Sequence, residues 1–364
     1  EFKELERIVS TDVSLVGGEL DQALWNLSII LGRSYKETRE TYDYLERGHL
    51  DGGKNSGLFE IIYSLGERVM KEQHGEQEEL TIYFTPSLRE LIGQHTYATV
   101  WAQNLKNVLF GHNLHERPVH VISANMHSVR NVLYGAGVFK QNGSTASSDL
   151  YTMVRDIKHI EDRIDAYVEQ CGFIGFTDEC GCNINVHIID TAQVHLPEIH
   201  ESVQVNAAYI NSQKPVLLVR DYAFGTQAFE IREELLCPCA IDGKDIQLDF
   251  KSVSIMGKAG VLPGKKGDIM LATAHVMEGT PHNYIVENDL QIEDFETDLG
   301  VYCGPMVTVL GTSLQNVDVL TKFHTSSWKA IGLEMEGGHY QRAINAAIIK
   351  GHIDSKMKTR YAYY

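Results

Sequence analysis

The spacing of apolar positions changes character along the chain. Through the first hundred or so residues it follows the helical period, over 20–31 and again over 58–70. The glycine-rich polar stretch 51–57 reads as the loop between them. A polar run at 94–97 precedes another helical pattern over 98–109. Residues 118–125, with Val119, Val121 and Ile122, predict a buried strand, and 126–134 follow as a helix. Residues 141–148 are polar and rich in Gly and Ser, a surface loop or linker, and 150–170 return to helical spacing with one charged face.

From about residue 183 short strands dominate. The expected strands are 184–190, 203–210, 215–220, 250–256, 269–273 and 306–310, with 203–210 and 215–220 paired around 211–214. A helix is expected over 228–236. The apolar run 330–333 ends in Glu334-Met335-Glu336-Gly337 and passes into helical spacing over 341–349. Val/Ile/Leu runs interleaved with helices indicate an α/β fold: a mostly parallel twisted sheet flanked by helices, preceded by a mainly helical N-terminal region. The expected organisation is a helical region over 1–115, an α/β connecting segment over 116–182 and a main domain over 183–364.

Composition narrows the function classes. At 364 residues and 43% hydrophobic, the chain can bury a sizeable core. A net charge of −17 argues against nucleic acid or an anionic membrane as the main partner, while leaving room for a local basic pocket. There is no run of 18 apolar residues and no signal-peptide core at the charged start, so a cytoplasmic protein without a membrane partner is expected. Six cysteines include Cys180-Gly181-Cys182 and Cys237-Pro238-Cys239. A zinc ribbon uses two-residue spacers, so these pairs read as reduced thiols and no metal is expected.

The candidate chemistry sits where strands end. An apolar strand delivering Glu334 and Glu336 to a helix start is costly unless the carboxylates are bonded, although acidic residues at a helix start also gain from the helix dipole. Gly225 and the turn Gly257-Lys258-Ala259-Gly260 each follow a strand. There, glycine lets the backbone approach a ligand, and successive N–H groups form an anion nest. Lys258 adds a cation or is a solvent-facing lysine, and Arg220 adds another if it points into the same crevice. His127, Ser128 and Arg130 lie at a strand–helix junction, where ligands sit but where ordinary solvated residues are equally at home. The dinucleotide and P-loop fingerprints are absent.

In this order the pieces resemble the nucleoside phosphorylase superfamily over roughly residues 183–364. Gly257–Asp268 with Ala272-Thr273-Ala274-His275-Val276 looks most like AMP nucleosidase. Glu334-Met335-Glu336-Gly337 looks like the methylthioadenosine nucleosidases and the purine or uridine phosphorylases. The resemblance implies cleavage of an N-glycosidic bond of a nucleoside or nucleotide, by phosphorolysis or hydrolysis, in a homo-oligomer. It implies no cofactor, with inorganic phosphate a co-substrate if the bond is cleaved by phosphorolysis.

Carried onto this chain, Glu336 would accept the ribose hydroxyls and Met335 would pack on the sugar, with Glu334 and Thr312 beside them. Leu314 would stand where the family often has an aromatic residue against the base. Residues 257–260, with Gly225 and Arg220, would face phosphate or water. Lys258 replaces a small residue or His and would favour a phosphorylated sugar, and Val261 stands where a second glycine is usual. The family's general acid would follow Tyr364, so the native protein is expected to continue there with a Ser-Asp or similar pair. A nucleotide-binding or scaffolding protein that kept the pocket without the chemistry is the alternative.

Overall fold

The computed structural model describes residues 7–9, 15–32, 34–47, 57–75, 96–241, 243–278, 282–295, 299–309, 317–325 and 329–364. The chain divides into two compact units, Glu1–Gly93 and Gln94–Tyr364. In the first, helices α1 (Gly18–Leu31), α2 (Tyr35–Arg47) and α3 (Gly57–Gln73) are arranged around a small core. Ala23 and Leu24 lie one turn before Leu27 on the same side of α1, and all three share that core with Leu58 and Phe59 of α3.

The second unit opens with α4 (Thr96–Gly111), then β1 (Pro118–Ser123), α5 (Met126–Gln141), α6 (Leu150–Asp156) and α7 (Glu161–Val168). Strands β2 (Phe173–Phe176) and β3 (Val186–Asp190) lead to α8 (Ala207–Gln213), β4 (Val216–Arg220) and α9 (Gln227–Leu236). A small hairpin, β5 (Cys239–Ile241) and β6 (Lys244–Ile246), precedes β7 (Asp249–Gly257) and β8 (Gly260–Val261). The remainder is β9 (Ile269–Met277), β10 (Asn283–Ile285), β11 (Val301–Thr308), α10 (Val317–Thr325), β12 (Gly332–Glu334), α11 (Gly337–Ile349) and β13 (Lys358–Tyr363).

The main sheet runs β2-β3-β4-β1-β7-β13-β9-β11-β12-β8, with β10 added beside β9. The sheet is mostly parallel: β1 pairs in parallel with β4 and β7, β7 with β13, and β11 with β9 and β12, while β13 meets β9 antiparallel. Alternation along β1 shows the two layers. Val119 and Val121 join the core that also holds Leu105 of α4, Ile231 of α9 and Ile344 of α11. Ile122 instead packs with Val138 of α5 and Ile164 of α7.

Only Lys258 and Ala259 separate β7 from β8, yet five strand steps separate them in the sheet. Three peptide units reach about 11 Å, whereas five steps across a flat sheet span about 24 Å. The path from β7 to β8 therefore curls back on itself, and the 257–260 turn closes the ring.

Two sequence expectations are corrected. Residues 203–210 do not form a strand paired with 215–220; that stretch holds α8. Asn206 caps this helix by accepting the Tyr209 N–H at 3.0 Å, and Lys214 stops it in the left-handed region at φ 47°. The expected helix over 150–170 breaks into α6 and α7 around a 3-10 turn at Ile157–His159. Among the described residues no helix is long and apolar enough to cross a membrane.

Candidate functional site

The Glu-Met-Glu-Gly turn joins β12 to α11, and its two carboxylates have different surroundings. Glu334 is 3% exposed. One oxygen accepts the Thr308 hydroxyl and faces His275 Nδ1 at 3.2 Å. The other accepts the backbone N–H of Glu336 at 2.6 Å and that of Gly337. Thr308 Oγ1 in turn accepts the Gly338 N–H at 2.9 Å. Glu334 thus satisfies the unpaired N–H groups where α11 begins. Burial pushes its carboxyl up, but the bonds from His275, Thr308 and Gly337 outweigh that and hold it below its ordinary value. With its oxygens occupied, it braces the turn.

Glu336 faces open space. It accepts one bond outside its own turn, from the Gly225 N–H at 3.2 Å. Gly225 adopts φ +54°, the left-handed geometry that glycine permits, so that its N–H turns toward the carboxylate. Burial is the main reason that the Glu336 carboxyl rises to about 7, with the nearby Glu334 charge adding to the rise and the Gly225 bond opposing it.

Glu336 lines a cavity of about 390 Å³ at the carboxyl ends of β4, β7, β12 and β13. Asn125, which follows β1 and caps α5 by accepting the Ser128 N–H, lies on its wall. Tyr222 and Phe224 come from the β4–α9 loop, and Tyr363 and Tyr364 from the end of β13. The Tyr222 hydroxyl donates to the Met256 carbonyl at 2.9 Å. The buried Tyr363 hydroxyl has no hydrogen-bond partner among the described residues. Burial raises it well above the ordinary phenol range, so it remains a donor. Lys258 is exposed at the same cavity. The volume suits a small molecule, and the lining combines aromatic surfaces with a few polar groups.

The other residues expected at the site are distributed differently. Gly257 lines the cavity, but the Ala259 N–H donates to the Tyr364 carbonyl at 3.1 Å, and Gly260 pairs with Leu333 in the sheet. The anion nest expected at 257–260 is therefore partly consumed by closing the ring. Arg220 is 1% exposed and lies behind the wall, its guanidinium 4.8 Å from the centre of the Tyr340 ring. Arg232 lies 5.4 Å from the same ring, and its burial lowers it to about 9.

Met335 packs with Val307, Val309 and Leu333, away from the lining. Leu314 and Thr312 fall outside the described residues. His127 and Ser128 do not line the cavity, and Arg130 bonds Asp165 at 2.5 Å. Sequence reasoning missed Asn125, Tyr222, Phe224, Tyr340, Tyr363 and Tyr364. Asn125 carried a helix-cap signal, and Tyr222 and Phe224 sat beside the glycine turn already singled out.

Solved structures similar to this chain include a 5′-methylthioadenosine/S-adenosylhomocysteine nucleosidase from Colwellia psychrerythraea 34H in complex with adenine. The two are 12% identical, covering 68% of this chain and 80% of that one with a TM-score of 0.37. A futalosine hydrolase of Helicobacter pylori is 9% identical over 68% of this chain and 85% of its own, TM-score 0.38. Isoform 2 of uridine phosphorylase from Schistosoma mansoni is 12% identical over 68% and 77%, TM-score 0.33. No curated protein matches. A family described as of unknown function (DUF6909) matches residues 145–363, more than half of the sequence, and the chain belongs to that family.

Proposed function

We propose that this protein cleaves the N-glycosidic bond of a nucleoside or nucleotide bound in the cavity at Glu336. The observation that carries the reading is the contrast within Glu334-Met335-Glu336. One carboxylate is consumed in bracing the turn, and this holds the other against an aromatic-walled cavity with acceptor capacity to spare. A carboxylate there can accept a pair of sugar hydroxyls. It can also stabilise the positive charge that develops on the sugar ring as the bond to the base breaks. The free Tyr363 hydroxyl supplies a donor, the rings of Tyr222 and Phe224 offer surfaces for a base, and Lys258 suits a phosphate-bearing substrate or inorganic phosphate. The sequence resemblance to nucleoside phosphorylases supports the same chemistry.

A second reading is a ligand-binding protein without turnover. It is favoured by the absence, among the described lining residues, of a second free carboxyl to protonate the departing base. The test is incubation with AMP, adenosine, inosine and methylthioadenosine, with and without phosphate, reading free base by chromatography. Release of base that Glu336→Gln slows tenfold or more supports cleavage, since a charge-assisted bond contributes about 1.5–3 kcal/mol. Binding without release supports the second reading. Neither binding nor release refutes both.

A further inference from the structure

The loop between β2 and β3 gathers three metal-binding groups that linear spacing does not reveal. Asp178, Cys180 and Cys182 offer a carboxylate oxygen and two sulfurs that all lie within 4.8 Å of one another. The sulfurs are 3.9 Å apart. Two thiolates bound to one tetrahedral ion at about 2.3 Å each stand about 3.8 Å apart, so the pair is already at chelating distance.

The backbone holds the groups there. Asp178 Oδ1 accepts the Cys180 N–H at 3.0 Å, and Oδ2 accepts the Asn183 N–H at 2.6 Å. Gly181 at φ +100° makes the reversal that turns both cysteines to one side. The Cys180 thiol points at the carboxylate, 2.8 Å away. The other one-spacer pair contrasts with this. Beside Cys237 and Cys239 the Lys106 ammonium donates to the Cys237 carbonyl at 2.6 Å, and a cation there repels a metal.

We propose that Asp178, Cys180 and Cys182 bind a thiophilic divalent cation of the zinc class. Two thiolates and a carboxylate suit such an ion and not magnesium or calcium, which take all-oxygen shells. Binding forms two metal–sulfur bonds and one metal–oxygen bond and releases the two thiol protons to solvent. The ion would replace the Cys180–Asp178 hydrogen bond and leave a fourth position for water.

Such an ion would also act on the candidate site. The Cys182 carbonyl accepts Gln227 Nε2 at 2.8 Å, and Gln227 Oε1 accepts the Phe224 N–H at 3.2 Å. Gly225, next in sequence, bonds Glu336. Fixing Cys182 therefore stiffens the cavity wall.

The test uses the full reduced chain titrated with Co²⁺ and then Zn²⁺. The expected result is one equivalent of Co²⁺ with a near-ultraviolet thiolate charge-transfer band, displaced by Zn²⁺, and slower hydrogen exchange at Phe224 and Gly225 once zinc is bound. Cys180→Ser/Cys182→Ser should abolish the band, Asp178→Asn should weaken binding at least tenfold, and Cys237→Ser/Cys239→Ser should leave both unchanged. Circular dichroism establishes that each variant is folded, and Cys182→Ala serves if the double variant is not. Absence of a thiolate band, or a band that survives loss of Cys180 and Cys182, overturns the proposal. So does a chain that binds no metal when reduced but gains a Cys180–Cys182 disulfide on mild oxidation.

Discussion

Glu336→Gln should make the protein more stable at alkaline pH while it weakens ligand binding. The folded carboxyl titrates at about 7 against 4.5 in the unfolded chain. Below 4.5 both states are protonated and Glu336 contributes no difference. Between 4.5 and 7 the unfolded chain loses the proton while the folded one keeps it, so stability falls, and above 7 the whole loss is present. A rise of that size corresponds to roughly 3 kcal/mol at about 1.4 kcal/mol per pKa unit. The side chain keeps some solvent, which screens the effect to about 1–2 kcal/mol. Gln occupies the same volume and its carbonyl can still accept the Gly225 N–H, so removal of the charge is the main change. Urea denaturation of both proteins at pH 5 and pH 8 reads the difference. Trp101, fully buried with its indole N–H on the Ile184 carbonyl, reports on the second unit. The expected gain is near zero at pH 5 and about 1–2 kcal/mol at pH 8. Equal stability at pH 8, or the same gain at both pH values, would refute the argument.

Other consequences are as direct. Glu334→Gln puts an amide donor among groups that already donate, and should cost about 3 kcal/mol in urea denaturation at pH 7. Because bonding holds the Glu334 carboxyl below its ordinary value, wild-type stability should also drop as acid protonates it, and the variant should lack that component. Gly337→Ala would drive a methyl group into the His275 ring and the Tyr363 hydroxyl; a loss of about 2 kcal/mol or more is expected, seen as a lower melting temperature. Lys258→Met should weaken binding of a nucleoside monophosphate about tenfold by calorimetry while leaving the parent nucleoside unchanged.

The alternation of buried runs and glycine turns made the strands and the Glu-Met-Glu-Gly turn legible, because a buried parallel strand needs nothing more than a short apolar run between turns. What spacing could not show was which carboxylate stays open. That depends on Thr308 and His275, 26 and 59 residues away in sequence, converging on Glu334. Arg220 illustrates the same limit. Its place at the end of β4 suggested a cation in the crevice, but it is buried off the lining, its charge set against the ring of Tyr340, which does line the cavity. The misread strand over 203–210 reflects apolar content outweighing a cap: Asn206 carried the helix signal.

β13 sits between β7 and β9, yet it follows every other strand along the chain. Its parallel register with β7 runs from Lys358 to Tyr363, and it meets β9 through Ala362 and Tyr363. During synthesis the two halves of the sheet cannot be joined until residues 358–363 have left the ribosome. Until then the β7 edge that β13 covers stays open to solvent, to chaperones and to other nascent chains. Assembly of the second unit thereby depends on long-range pairing, which slows folding. The same insertion brings Tyr363 and Tyr364 to the cavity, so the wall facing Glu336 is completed only once β13 is in place.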